Sequence, residues 1–359
     1  MNIALLLPNY SGHVVGSLLV YYRYAQCLAD AGHRVDIYHP ALVDDSPSLK
    51  QRARAVAWSI AKNLSAKPVP WMDFPAGVKA RFRPRLEGLR LDHDRVVAFS
   101  WRMIEALEQI QCRGTTYGYV VEYETWAEAS PDRKARMEAS YRRDLPLLCS
   151  SRAVESMLRE VGATDIRLCV HGVDVDIHRK QGPNTAKDPR RVGFPVRMEP
   201  VKSPEVIEAT ARLLKARFGE AVCLWGFGGP STPSKLTSLF DEFHIHPSNQ
   251  ELSELYGKSG IFAIASRKEG FGMPAAEAMA SGCAVVSTDN GGIRTFGFDG
   301  QNCLLVPPDS PQALADAIGS LLEDPTRRAA LGAAAPASVD FLRWDAAGER
   351  FLAQLGLGP

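Results

Sequence analysis

The sequence predicts an α/β protein made of two Rossmann-like units. Short apolar runs, with the length and flanks of buried strands, alternate along the chain with stretches of good helix formers. The first series is a strand at residues 2–7, a loop with glycines at 12 and 16, a helix at 17–31 and a strand at 34–39. This order predicts a parallel unit. The order begins again at Arg191, and 359 residues are enough for two such domains.

The remaining elements of the first half follow from the same pattern. Apolar runs predict further strands at residues 95–99, 117–121, 145–149 and 167–170. Helices are predicted at residues 50–64, 101–111 and 151–161, and Ser150 and Ser151 are suited to cap the last of them. A polar stretch with Gly and two Pro at residues 180–190 predicts a linker.

The second half repeats the alternation. Strands are predicted at residues 192–196, 221–225, 243–246, 261–265, 283–287 and 302–306, with a tight turn at 226–230. Helices are predicted to begin near 203–204, 249, 274, 311, 327 and 341. The expected domains are residues 1–180 and 181–338, followed by a terminal helix in 339–359 that crosses back to the first domain.

Composition and charge exclude several classes of protein. The formal net charge of +1 gives no case for a nucleic-acid binder. No stretch approaches 18 apolar residues, and residues 2–7 lack the basic leader of a signal peptide. The seven cysteines are scattered without CxxC spacing, which indicates reduced core residues and predicts a cytoplasmic protein.

A glycine-containing loop followed by a helix carries the strongest chemical signal. Gly270 and Gly272 lack a Cβ, so a ligand can approach their backbone closely. The helix that follows offers unpaired N–H groups and a positive dipole end, which suit a phosphate. Glu277 lies one turn into the helix and can accept two hydrogen bonds from a vicinal diol, while Glu269 on the loop can reach the other side of the ligand. The pattern predicts a binding site for a sugar diphosphate. In the alternative interpretation, Glu277 only stabilises the start of the helix and Glu269 is a solvated surface residue.

Residues 269–282 read Glu-Gly-Phe-Gly-Met-Pro-Ala-Ala-Glu-Ala-Met-Ala-Ser-Gly. This string resembles the Glu-(seven residues)-Glu signature of glycosyltransferase family 4, whose members are retaining enzymes of the GT-B fold. The resemblance is strongest at residues 197–306. It implies two Rossmann-like domains facing across a cleft, and transfer of a sugar from a nucleotide-diphosphate sugar to a hydroxyl acceptor of unknown identity. It also implies that no cofactor or metal is needed.

The resemblance assigns roles to the matching residues. Arg197 and Lys202, five residues apart, would clamp the donor diphosphate. Glu277 would hold the ribose, and Glu269 would contact the donor sugar. The backbone amides that would bind the diphosphate belong to Gly270, Phe271, Gly272 and Met273.

Three more positions follow from the resemblance. Gly226 matches a Gly-x-Gly of the donor domain, and Gly16 is the only glycine in register with the glycine pair that the family has in its first loop. Glu124 stands where many members have a His that contacts the donor sugar. Two interpretations of Glu124 stay open: a donor with an unusual substituent, or a carboxylate that caps a helix.

The turn His171-Gly-Val-Asp174 resembles the turn that closes the first domain in this family, with His in place of Asn. His171 and His178 are therefore predicted to have exposed side chains at a hinge. Two alternative functions also stay open: a sugar-nucleotide epimerase or hydrolase of the GT-B fold, and a regulator that binds a sugar nucleotide without turnover.

Residues 50–95 are strongly basic, with eleven Lys or Arg against four Asp or Glu. One interpretation is a lid over the acceptor, or a surface that contacts anionic lipid at the inner face of a membrane. The other is a solvated face with a few buried aromatic side chains.

Overall fold

The computed structural model of the chain describes residues 1–8, 10–12, 15–42, 47–121, 129–179 and 187–358. The chain divides into two compact units. Unit 1 comprises Met1–Gly172 together with Trp344–Pro359, and unit 2 comprises Val173–Arg343. Among the described residues, no helix is both long enough and apolar enough to cross a lipid bilayer.

Unit 1 is built on a parallel sheet of seven strands within its described residues, in the order β3-β2-β1-β5-β7-β8-β9. The strands β4 and β6 form a separate parallel pair. The strands are β1 (Asn2–Leu6), β2 (Arg34–Pro40), β3 (Val78–Arg83), β4 (Arg90–Leu91), β5 (Arg95–Phe99), β6 (Gln111–Cys112), β7 (Thr115–Val120), β8 (Leu147–Cys149) and β9 (Ile166–Leu168).

The helices of unit 1 accompany this sheet. They are α1 (Gly16–Asp30), α2 (Leu49–Leu64), α3 (Trp101–Ala106), α4 (Pro131–Tyr141) and α5 (Arg152–Glu160). Three of them, α2, α4 and α5, begin at a serine side-chain cap. The Ser48 hydroxyl accepts the N–H of Gln51, and the Gln51 side chain accepts the N–H of Ser48, which completes a capping box at α2. The Ser151 hydroxyl accepts the N–H of Val154 at α5 as the sequence predicts.

Unit 2 contains a second parallel sheet, of six strands among its described residues, in the order β12-β11-β10-β13-β14-β15. These strands are β10 (Asp188–Val196), β11 (Cys223–Gly228), β12 (Glu242–Ile245), β13 (Ser259–Ile264), β14 (Ala284–Thr288) and β15 (Cys303–Val306). The chain runs outward from β10 to β12 and then returns to place β13 on the other side of β10. In open parallel sheets, ligands usually bind beside the carboxyl ends of the strands at such a reversal, and in this sheet the reversal lies between β10 and β13.

The helices of unit 2 cover its sheet, and one further helix completes unit 1. They are α6 (Val175–Arg179), α7 (Pro204–Phe218), α8 (Ser234–Thr237), α9 (Asn249–Lys258), α10 (Met273–Ala280), α11 (Pro311–Glu323) and α12 (Pro325–Ser338), followed by α13 (Trp344–Gln354). In α13, the Phe351 ring stacks on Tyr24 with centroids 4.1 Å apart. A Cβ on Gly172 would lie 2.4 Å from the Trp344 ring, so the absence of a side chain at Gly172 makes room for α13.

The domain boundary lies earlier than residue 180, because α6 packs on α9 and α10 and therefore belongs to unit 2. The boundary before the terminal helix lies at residue 343, later than expected. Among the described residues, three strands were not predicted: the two-residue strands β4 and β6, and β3. β3 lies inside the basic stretch 50–95 and pairs with β2 from Val35↔Val78 to Pro40↔Arg83. Lys and Arg at alternate positions of β3 make the segment read as a basic stretch and not as an apolar strand.

Two further expectations are wrong. His171 and His178 are not exposed hinge residues but are only 3% and 1% exposed. Burial lowers the pKa of each imidazole to about 4. The sequence 226–230 is not wholly a turn, since Gly226 to Gly228 complete β11 and pair with Phe194 to Val196 of β10.

Candidate functional site

The candidate site lies in unit 2, where β10 and β13 end side by side. The two strands pair in parallel at Val192↔Ile261 and Gly193↔Phe262, so their carboxyl ends share one edge of the sheet. Arg197 follows β10 directly, and the loop from Ser266 to Glu269 follows β13. The strand order therefore brings together segments that are about seventy residues apart along the chain.

An ion pair joins these two segments. Lys202 Nζ lies 2.8 Å from Glu269 Oε2, and the Ser266 hydroxyl donates to Glu269 Oε1 at 2.7 Å. The Lys202 and Glu269 side chains are only 17% and 14% exposed. Since both oxygens of Glu269 are engaged and the pair is poorly hydrated, its charges interact more strongly than a surface pair would.

The backbone around the ion pair is held by neighbouring contacts. The Arg267 N–H donates to the Val201 carbonyl at 2.8 Å, and its guanidinium group binds Asp309 and the Pro200 carbonyl. The Glu269 N–H donates to the Asn290 carbonyl at 3.0 Å. These contacts fix the loop that carries Glu269 against the turn Pro200–Lys202.

The glycine loop leads into α10 through a left-handed residue. Gly272 has φ 99° and ψ 50°, and its carbonyl accepts the N–H groups of Ala275 and Ala276. No atom lies within 4 Å of the place where a Cβ on Gly272 would stand, so this side of the loop is open. Within the described residues, no acceptor takes the N–H of Gly272 or Met273. Two donors at the positive end of an eight-residue helix are thus available to an anion.

Phe271 serves as an anchor for this loop. Its ring is buried and lies 5.2 Å from the Phe296 ring, centroid to centroid. A Cβ on Gly292 would lie 2.6 Å from the Phe271 carbonyl oxygen, so glycine is required where the two backbones meet. The Phe271 side chain therefore stabilises the loop from the core side.

Glu277 and Tyr256 form a second polar group beside the loop. The Tyr256 hydroxyl donates to Glu277 Oε2 at 3.1 Å. Glu277 keeps some exposed surface, but protein surrounds its carboxyl group closely. Burial raises the pKa of Glu277 to about 7; the Tyr256 hydroxyl and the Arg197 cation lower this pKa, and the Asp174 carboxylate raises it. The carboxyl group therefore changes charge near neutral pH.

Arg197 is exposed and stands close enough to influence both members of this pair. No carboxylate of the described residues lies within ion-pair distance of its guanidinium group. An arginine without an ion-pair partner among these residues, near Glu277 and Tyr256, is suited to bind phosphate in a bidentate manner.

Two predicted positions belong to other elements, and a third is not described. Gly226 lies inside β11, where a Cβ would approach the Phe240 and Phe243 rings at 3.1–3.2 Å, so the structure gives it a packing role. Gly16 is the exposed first residue of α1 in unit 1. Glu124 lies outside the described residues.

Sequence reasoning missed Tyr256, Ser266 and Ser203. Ser266 could have been found, since it precedes Glu269 by three residues on the same loop. Tyr256 is distant in sequence and sits among apolar neighbours in α9, so no local pattern marks it. Among the described residues, no group of three or more His, Cys, Asp or Glu side chains is placed to hold a metal ion.

Ser203 carries strain beside the site. It adopts φ 51° and ψ 58°, and its fully buried hydroxyl has no hydrogen-bond partner. The left-handed conformation costs a non-glycine residue about 1–2 kcal/mol, and a buried unsatisfied hydroxyl adds to this cost. We expect Ser203→Gly to raise the thermal midpoint of unfolding by about 2–4 °C.

Ser281→Gly is the matched control for this prediction. Ser281 is also fully buried, but it has φ −77° and its hydroxyl donates to the His178 carbonyl at 3.0 Å. Its replacement should lower the midpoint, measured by calorimetry under the same conditions. A lower midpoint for Ser203→Gly as well would show that Ser203 is not strained.

Comparisons with known proteins show similarity in sequence to part of this chain. Residues 189–324 match the family model described as glycosyl transferases group 1. The D-inositol 3-phosphate glycosyltransferase of Xylanimonas cellulosilytica is 33% identical over 230 residues, which are 57% of this chain and 55% of that protein. The protein of the same name from Nocardia farcinica is 35% identical over 167 residues, 43% of this chain and 37% of that protein. The chain thus spans about half or less of the curated relatives it matches.

Solved structures resemble the whole chain. Sucrose-phosphate synthase from Thermosynechococcus elongatus superposes with a TM-score of 0.74 at 19% identity, covering 99% of this chain and 98% of that one. Anabaena HepE in complex with UDP and glucose gives a TM-score of 0.70 at 16% identity, covering 99% of each chain. The predicted fold is confirmed: the chain has the GT-B fold with two Rossmann-like units, and its second unit carries the match to glycosyl transferases group 1.

Proposed function

We propose that this protein is a retaining, metal-independent glycosyltransferase of family 4, which moves a sugar from a nucleotide-diphosphate sugar to a hydroxyl acceptor. One observation carries the proposal. The poorly exposed Lys202–Glu269 pair, the open N–H groups of Gly272 and Met273 and the ionisable Glu277 lie at one edge of the sheet in unit 2. This set supplies positive groups for a diphosphate and carboxylates for sugar hydroxyl groups.

The diphosphate is assigned to the positive groups. The N–H groups of Gly272 and Met273 can bind one phosphate of the donor diphosphate, and the exposed Arg197 can bind the remaining oxygens of the diphosphate. Lys202 is held at the same edge by Glu269 and needs little reorganisation to reach a phosphate. Groups fixed before the substrate arrives stabilise developing charge most effectively.

The two carboxylates are assigned to hydroxyl groups of the donor. Glu277 would accept hydrogen bonds from the ribose diol, with Tyr256 holding the carboxylate in place. Glu269 would contact the transferred sugar. HepE, which shares the fold, was solved with UDP and glucose, so donors of this class are the first to test.

In the proposed reaction, the bond between the anomeric carbon and the phosphate oxygen breaks. The bond between the anomeric carbon and the acceptor oxygen forms on the same face of the sugar. The acceptor proton passes to the departing phosphate, so no protein base is required. Stabilisation of the charge on the leaving diphosphate by Lys202, Arg197 and the loop amides is the main catalytic contribution.

The direct test is product formation from a panel of UDP-, GDP- and dTDP-sugars with candidate acceptors. D-inositol 3-phosphate belongs in the acceptor panel, because the curated relatives carry its name. We expect nucleoside diphosphate release that depends on the acceptor, a product with the anomeric configuration of the donor by NMR, and unchanged turnover in excess chelator.

Each part of the proposal can fail separately in this experiment. An inverted product would contradict retention. Activity that is lost with chelator and restored by magnesium or manganese would contradict the metal-independent role of the Arg197 and Lys202 cations. Release of nucleotide without any acceptor would favour a hydrolase.

A further inference from the structure

The outer face of α2 in unit 1 carries an exposed apolar stripe. Leu49, Val56, Ile60 and Leu64 are 85%, 46%, 56% and 81% exposed. Their spacing of seven, four and four residues places them on one side of the helix. Nine large apolar side chains are exposed among the described residues, and four of them lie on this one helix. Single exposed apolar residues are ordinary, but a contiguous stripe marks an interaction surface.

Positive charge flanks the stripe. Lys50, Arg52 and Arg54 are exposed on the first two turns of α2, and the helix has no acidic residue. At 100° per residue, Lys50 and Arg54 fall on one flank of the stripe and Arg52 on the other. An apolar stripe between cations is the pattern of helices that lie in the interface of an anionic membrane.

The opposite face of α2 is fixed to unit 1. Trp58 packs edge-to-face on Tyr10 and Phe82, with ring centroids 5.6 and 5.2 Å apart. Near the end of α2, and not on this opposite face, the Asn63 amide exchanges hydrogen bonds with the backbone of Phe82 at 2.8 and 2.9 Å. Lys62 turns inward and donates to the Pro68 carbonyl at 3.1 Å. Folding therefore presents the stripe as a preformed surface and does not bury it.

From this placement we propose that α2 docks the protein on an anionic lipid surface, with Leu49, Val56, Ile60 and Leu64 entering the interface and Lys50, Arg52 and Arg54 contacting the headgroups. This inference goes beyond the proposed function and does not depend on it. The charge complementarity favours lipid over a neutral apolar partner, since three exposed cations accompany the stripe and no acidic residue of α2 offsets them.

The test is co-sedimentation of the full chain with equimolar phosphatidylglycerol–phosphatidylcholine vesicles at low ionic strength. We expect clear binding to these vesicles, weak binding to pure phosphatidylcholine, and loss of the difference at about 0.5 M salt, where charges are screened. Each cation near an anionic leaflet contributes about fivefold to partition, so Lys50→Glu with Arg54→Glu should reduce it by at least about 25-fold. Ile60→Ser with Leu64→Ser should reduce it by about tenfold or more.

Matched control variants distinguish vesicle binding by this surface from nonspecific binding to vesicles. Ile245→Ser with Phe298→Ser removes two apolar side chains of unit 2 that are 51% and 52% exposed. Lys235→Glu with Arg327→Glu makes the same charge change at exposed positions of unit 2. We expect both controls to bind vesicles as the parent does. Circular dichroism of the α2 variants would verify that they remain folded.

Three outcomes would overturn the proposal. The first is no binding to the anionic vesicles at low ionic strength by the parent protein. The second is an equal loss of binding in the control variants. The third is a dimer of the parent protein in solution that Ile60→Ser with Leu64→Ser converts to a monomer, because a second copy would then cover the stripe.

Discussion

Lys202→Ala should reduce kcat for sugar transfer by about 10²–10³-fold, the usual cost of removing one fixed group that stabilises a developing charge. Lys202 Nζ is held 2.8 Å from Glu269, with little exposure to solvent, so its charge is weakly screened at the place proposed for the diphosphate. Steady-state kinetics with a nucleotide-sugar donor measures this effect once an acceptor is known.

The variant also leaves Glu269 without its cation, so folding and catalysis must be separated. Loss of one member of a poorly exposed ion pair destabilises a protein, and the thermal midpoint of Lys202→Ala should fall. Binding provides the distinction, because the affinity for a nucleoside diphosphate should fall at least tenfold while the affinity for the nucleoside alone should stay unchanged. A structural role alone would weaken both equally.

Lys215→Ala is the matched control for Lys202→Ala. Lys215 Nζ pairs with Asp241 Oδ2 at 2.7 Å in the same unit, but Lys215 lies in α7 and Asp241 immediately precedes β12, at the opposite edge of the parallel sheet from the glycine loop. We expect kcat to be unchanged in this variant. A similar loss of kcat in both variants, or a Lys202→Ala enzyme with parental kcat, would remove Lys202 from the diphosphate site.

The alternation of apolar runs and helix formers was sufficient to predict the fold, because strands buried on both faces have few polar residues to obscure them. The predicted runs at 95–99 and 261–265 correspond closely to β5 and β13. β3 was not predicted, because it is an edge strand whose exposed positions carry Lys79 and Arg83. Its basic composition reflects solvent on one side and not the absence of a strand.

The site could be predicted where its residues share one segment, and only partly where they do not. Glu269, Gly272 and Glu277 lie on one loop and helix, and their spacing was informative. Tyr256 could not be inferred, since its link to Glu277 arises only when α9 packs beside α10. The raised pKa of Glu277 could not be predicted either, because it depends on burial by segments far apart in sequence.

The exposed hinge expected for His171 and His178 was wrong for a related reason. A histidine in a polar turn favours exposure when only its neighbours are considered. In the structure, the His178 ring packs edge-to-face on Tyr256, with centroids 5.5 Å apart, and His171 Nδ1 lies 2.9 Å from the Gly172 carbonyl oxygen. Tertiary packing decided the outcome, and both imidazoles are neutral near pH 7 because their pKa values are about 4.

Donor binding should depend on pH through Glu277. Its pKa is raised to about 7 by burial, and the proposed contact with the ribose diol needs the carboxylate form. Below pH 7 the free protein must therefore release a proton to bind the donor, and the dissociation constant should rise by up to about tenfold per pH unit. A nucleotide sugar is the right probe, since it lacks the terminal phosphate that titrates near pH 6.

Glu277→Gln should abolish this pH dependence of donor binding, because the amide does not titrate. Glu277→Ala should weaken donor binding by roughly ten- to a hundredfold at pH 8 through loss of charged hydrogen bonds.

The stability of the folded protein should not follow the same course as donor binding. The folded carboxyl group keeps its proton to a higher pH than the unfolded one, so Glu277 costs stability increasingly as the pH rises from about 4.5 to about 7. The thermal midpoint of Glu277→Gln at pH 8 should therefore equal or exceed that of the parent, even though its donor affinity is lower. Calorimetric titration in two buffers of different ionisation enthalpy measures the proton release, and parental pH dependence in Glu277→Gln would assign the titrating group elsewhere.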